Sequence, residues 1–119
     1  MNKKKINSEL QQLIEKLRHT SAKEGVCLWK YIATELAGST KKRAVVNISR
    51  INRYAQLNET VVIPGKVLAA GDLTQPVYVA AFKFSKEAKE KIEHAKGKAL
   101  TIAELMEKNP KGKEVRILG

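Results

Sequence analysis

At 119 residues, 43% of them hydrophobic, the chain can bury one modest core and is too short for two independent domains. Lysine and arginine number 23 against 12 acids, a formal charge of +11, and such an excess repels itself unless an anionic partner, nucleic acid first among candidates, neutralises it. The longest apolar run, Val77 to Phe82, is far short of the roughly 20 residues that span a bilayer, and a lone Cys27 without a Cys/His cluster gives neither a disulfide nor a metal-ligand pattern, which suits a reducing, cytoplasmic compartment.

Charge is uneven along the chain. Up to Lys66 there are 13 basic and 5 acidic residues, after it 10 and 7. Residues 1 to 6 read as a basic flexible arm, in which Lys3, Lys4 and Lys5 order on a phosphate backbone, and residues 7 to 119 as the single domain. The start is basic as in a signal peptide, but Ile6-Asn7-Ser8-Glu9 is not an apolar core, so no export is expected.

From Ser8, Leu10, Leu13, Ile14 and Leu17 share one helical face, and Ser8 with Gln11 has the capping-box form. This first helix should run to about Glu24 and stop at Gly25. Val26, Trp29, Ile32, Ala33 and Leu36 repeat the spacing up to Gly38, so a second amphipathic helix should pack on the first.

Ser39-Thr40-Lys41-Lys42-Arg43 is a basic loop leading into Ala44-Val45-Val46. After Asn47, the residues Ile48, Ile51, Tyr54 and Ala55 fall at helical spacing, which turns Arg50 and Arg53 to the opposite side. Val61-Val62-Ile63 and Lys66 to Ala70 read as two short strands joined by a tight Pro64-Gly65 turn. Val77 to Phe84 is a strand apolar enough to be covered on both faces.

Ser85 can cap a helix containing Ala88 and Ile92 that ends at Gly97. A brief strand at Ala99-Leu100 then meets a Thr101/Glu104 capping box opening a last helix, and Val115 to Leu118 forms the final strand. The expected fold class is α/β: one compact domain behind two N-terminal amphipathic helices.

Catalytic patterns are weak throughout. Asp72, the sole aspartate, sits in a turn-like stretch, and His19 and His94 lie among Lys and Glu on helices, as solvated faces require. Cys27 beside Val26 and Leu28 reads as a packed thiol. Pro64-Gly65-Lys66 lacks the other glycine and the Ser/Thr of a phosphate-binding loop; its turn either presents Lys66 to an RNA phosphate or simply joins two strands. Trp29 has the spacing of a core residue, and Tyr54 reads as packing its ring inward while its hydroxyl can still reach a phosphate. No catalytic residue, cofactor, metal or small-molecule substrate is expected, so an enzyme is not.

The strongest constellation is Lys41, Lys42, Arg43, Arg50 and Arg53, opposed only by Glu59 between residues 38 and 66. A solvated face alternates its charges, as residues 86 to 93 do; a nearly acid-free cluster suits phosphate, with arginine forks and lysine point charges releasing counterions. Phosphate contacts carry no sequence code, so a folded RNA would be recognised by shape.

The stretch Ala44 to Ala55, then Thr60 to Leu68, Val79 to Ser85 and Asn109-Pro110-Lys111-Gly112, resembles the eighteen-e family of archaeal and eukaryotic large-subunit ribosomal proteins over essentially the whole chain. The resemblance implies a non-enzymatic constituent of the cytoplasmic ribosome that binds large-subunit ribosomal RNA and touches neighbouring ribosomal proteins. It also implies a fold shared with the C-terminal part of bacterial large-subunit protein fifteen, an irregular superhelix of strand-strand-helix turns. Carried over, Lys41 to Arg43, Asn47, Arg50, Arg53, Tyr54 and Lys66 would face the RNA. The short length looks archaeal, and family members often carry more arginine in the loop than Ser39 to Arg43 does. The competing reading from charge alone is an architectural nucleic-acid-binding protein outside the ribosome.

Overall fold

The apolar spacing at the start of the chain becomes two packed helices in the computed structural model, which describes residues 2–39, 41, 43–56 and 59–119, with side chains from residue 8 onward. Helix α1 (Asn2–Glu24) and helix α2 (Leu28–Ala37) turn at Gly25, whose φ of 70° is the left-handed conformation expected of a helix stop. Leu17, Trp29, Ile32 and Leu36 are fully buried between them and the sheet; each such burial contributes about 1.5–3 kcal/mol. The Ser8/Gln11 pair does not open α1, whose backbone is helical from Asn2. No glycine or proline precedes Ser8, and lysine propagates a helix well. The side chains of Lys3, Lys4 and Lys5 lie outside the described residues, as do Thr40 and Lys42.

Behind the helices lies a parallel sheet of five strands: β1 (Ala44–Asn47), β2 (Thr60–Leu68), β3 (Tyr78–Phe84), β4 (Lys98–Thr101) and β5 (Val115–Ile117). β2 pairs β3 on one edge. On the other it pairs β5 through Thr60 to Val62 and β1 through Gly65 to Leu68. β4 closes the far side against β3. Helices α3 (Ile48–Tyr54), α4 (Lys86–His94) and α5 (Ile102–Lys108) connect the strands, so the whole is the α/β domain that the alternation of strand and helix patterns predicts.

Strand residues alternate between two cores, as the two-residue period of a strand requires. Val61, Ile63, Val79 and Ala81 face α3 and α4, whereas Val62, Ala80 and Leu100 face α1, α2 and α5. The double coverage expected of β3 is therefore present.

The expected Pro64-Gly65 hairpin turn is not. β2 runs straight through both residues, which are buried, and the chain makes a bulge there: the register with β3 shifts between Ile63 and Lys66. A proline has no N–H to give a ladder and is tolerated inside a sheet at a bulge. Gly65 is required by proximity rather than by turning, since a Cβ there would lie 1.9 Å from the Ala44 carbonyl oxygen of β1. The bulge also falls where the β2 edge changes partner from β5 to β1.

The caps at the other helices match their sequence signals. Ser85 Oγ accepts from the Ala88 N–H at 3.2 Å. In the Thr101/Glu104 box Thr101 Oγ1 accepts from the Glu104 N–H at 3.0 Å, and Glu104 Oε1 from the Thr101 N–H at 2.9 Å. These hydrogen bonds hold the Glu104 carboxyl below its ordinary pKa.

Candidate nucleic-acid interface

The basic loop is anchored by Arg43. Its Nη2 donates to the Leu36 carbonyl at the end of α2 over 3.1 Å, and its guanidinium lies 5.5 Å from the centre of the Phe82 ring. Helix α2 has no cation in its own last turn, so Arg43 supplies both a donor and a charge to that negative end. Arg43 is half-buried, with Nε enclosed and unpartnered among the described residues, whereas Lys41 beside it is exposed. The loop's arginine is thus a pinned fork and its described lysine a free-standing charge.

After β1 the chain enters α3, where Ile48, Ile51 and Ala55 are buried and Arg50 and Arg53 exposed, as their spacing predicts. Tyr54 goes with the arginines instead of the core. It is 49% exposed, with the Arg50 guanidinium 5.9 Å from its ring centre, because a seven-residue helix buries only the narrow stripe that touches the sheet. Arg50 Nη2 also reaches the Gly119 carbonyl at 3.4 Å. Since a Cβ on Gly119 would sit 3.1 Å from Ala44 Cβ, this contact folds α3's basic side back toward the start of β1.

Asn47 has a use inside the protein: its Oδ1 accepts the Ala70 N–H at 3.2 Å. Asn52 does the same for the Thr74 N–H at 3.0 Å, and Lys91 Nζ donates to the Ala69 carbonyl at 2.7 Å. Together they fasten the connection between β2 and β3, which has no helix of its own.

Lys66 emerges from β2 just past the bulge, exposed, with Val45 of β1 and Lys83 of β3 as its neighbours in register. Lys83 is exposed too, its Nζ 5.7 Å from the Phe82 ring centre. Arg43, Ala44, Val45, Gly65, Lys66, Phe82 and Lys83 line a cleft of about 270 Å³ with no acid among them. Sequence reasoning missed Lys83, because only the β2–β3 register places it beside Lys66; its one local signal is a cation between two phenylalanines at a strand end.

Glu59, the one acid between residues 38 and 66 of the sequence, is paired at the start of β2. Glu59 Oε1 accepts from Arg116 Nε at 2.9 Å and from the Gln56 N–H at 3.1 Å. The hydrogen bond from Arg116 is the main cause that holds its carboxyl below the ordinary range.

His19, His94 and Asp72 are exposed, the histidines on helix surfaces and Asp72 after the bend at Gly71, as expected. Trp29 is fully buried, its Nε1 donating to the Pro110 carbonyl at 2.7 Å, and Lys111 pairs with Glu24 at 3.0 Å. The Asn109 to Gly112 stretch is thus where the C-terminal part clasps the helical layer. Cys27 corrects the expectation of a packed thiol: it is exposed at the start of α2, because Val26 and Leu28 take the inward positions of that corner. Among the described residues no helix is long and apolar enough to cross a membrane.

A family model described as "Ribosomal protein 60S L18 and 50S L18e" matches residues 2–119. The chain is 50% identical over 115 residues to a protein of Methanosphaerula palustris named large ribosomal subunit protein eL18, an alignment covering 97% of this chain and 95% of that one. Proteins of the same name from Methanothermobacter thermautotrophicus and Archaeoglobus fulgidus are each 46% identical to it, over 114 residues (96% and 94%) and 115 residues (97% and 98%). By family match and near-full-length identity together, the chain belongs to the ribosomal protein family of 60S L18 and 50S L18e.

Proposed function

We propose that this chain is a structural, non-catalytic constituent of the large subunit of the cytoplasmic ribosome, and that it binds large-subunit ribosomal RNA through the surface formed by Lys41, Lys42, Arg43, Arg50, Arg53, Tyr54 and Lys66. The arm at residues 1 to 6, with Lys3, Lys4 and Lys5, extends that contact, Asn47 supports it, and neighbouring ribosomal proteins cover other faces. Family membership supports the ribosomal assignment. The observation that carries the surface is that Arg50, Arg53 and Lys66 are exposed with no described acid paired to them.

Arginine forks there chelate phosphate oxygens and the lysines act as point charges, each contact releasing condensed counterions. The RNA is then read by its shape and backbone. Co-sedimentation tests the assignment. The protein should travel with large subunits at moderate salt and be stripped at high salt, and recovery only in the free pool would contradict it. Duplex DNA competing as well as ribosomal RNA at fixed salt would favour a general architectural binder instead.

A further inference from the structure

We propose that the cleft between β1, β2 and β3 receives one unstacked RNA nucleotide, with its phosphate between Lys66 and Lys83 and its base against Val45. The inference rests on the RNA-binding reading above and adds a subsite to it. Three features carry it.

The first is shape. The cleft is concave and about 270 Å³, near the lower end of the roughly 300–1,000 Å³ of small-molecule pockets, so it has room for one nucleotide and not for a duplex. A duplex presents its phosphates on a broad convex surface and would ride over the opening. The second is charge: Lys66 and Lys83 are exposed neighbours in register across β2 and β3, Arg43 stands at the rim, and no acid lines the cleft. Such a site asks for an anion.

The third is the apolar lining. Val45 is 60% exposed on an edge strand, beside the half-buried Phe82, whose ring Arg43 and Lys83 cover. Phosphate alone would leave Val45 in water, whereas a nucleotide covers it with its base. Single-stranded RNA is held by this pairing of cationic groove and flat apolar or aromatic surface. Arg43, pinned by the Leu36 carbonyl, keeps the rim in place without having to reorganise on binding.

The test compares a short uridine oligonucleotide with a short RNA duplex, both fluorescently labelled, at one salt concentration against the full chain. Val45→Ser combined with Lys83→Ala should lower affinity for the oligonucleotide about tenfold and for the duplex about twofold. Both side chains are exposed, so thermal melting should stay that of the wild type. Equal losses for the two RNAs would overturn the subsite and leave a plain phosphate-tracking surface. An unchanged oligonucleotide affinity would overturn it too, as would displacement of the oligonucleotide by an acidic peptide of equal charge. Wild-type protein that binds neither RNA would overturn the RNA-binding reading itself.

Discussion

Replacing Trp29 separates a core residue from a base-stacking one. Trp29, the only tryptophan, is completely inaccessible, and its indole N–H donates to the Pro110 carbonyl at 2.7 Å. In Trp29→Phe the ring remains apolar but smaller and the hydrogen bond is gone. The lost hydrogen bond costs about 0.5–1.5 kcal/mol, and the unfilled volume brings the expected loss to about 2 kcal/mol. Trp29→Ala should cost about 3–5 kcal/mol, a large share of the roughly 5–15 kcal/mol by which a domain is stable. Urea unfolding followed by far-ultraviolet circular dichroism reads these losses as a lower midpoint at constant slope. RNA affinity of Trp29→Phe, measured where the variant is fully folded, should equal that of the wild type. Stability within about 0.5 kcal/mol of the wild type, with RNA affinity reduced, would refute the burial argument.

Gly65→Ala should destabilise the domain by about 1–3 kcal/mol, because the new Cβ meets a backbone oxygen of β1 that can only yield by moving the strand; a wild-type melting temperature would show that the approach of β1 is looser than described. The Glu59–Arg116 pair sets an acid limit. The folded Glu59 pKa lies below its ordinary value of 4.5, so its stabilisation is complete above that value and is lost as pH falls through the folded pKa. Arg116→Gln should therefore weaken the protein at neutral pH and flatten the fall of the urea midpoint below about pH 4.5; parallel curves for the two proteins would contradict the pairing.

Much of the helical part was legible because its signals are local. Leu17, Trp29, Ile32 and Leu36 repeat at helix spacing and are all buried, and Ser85 and Thr101 are caps whose partners sit three residues away. The sheet was less so, since its signals come from distant neighbours. Pro64-Gly65 looks like a turn in isolation, yet Gly65 answers to Ala44, 21 positions earlier in the chain, and the proline to a bulge. For the same reason the spacing of α3 overestimated how much of it the sheet covers, and Tyr54 came out exposed. Of the basic surface, Arg50 and Arg53 could be read from periodicity. The partial sequestration of Arg43 under α2 and the pairing of Lys66 with Lys83 depend on long-range packing and register.

The salt dependence of binding to a large-subunit ribosomal RNA fragment, compared between the wild type and Arg50→Ala/Arg53→Ala, tests the proposed surface most directly. Both side chains are exposed on α3, so the variant should remain folded, bind more weakly, and show a slope of log affinity against log salt reduced by about 1.5–2, the loss of two phosphate contacts. An unchanged slope in a folded variant would mean that the RNA lies on another face.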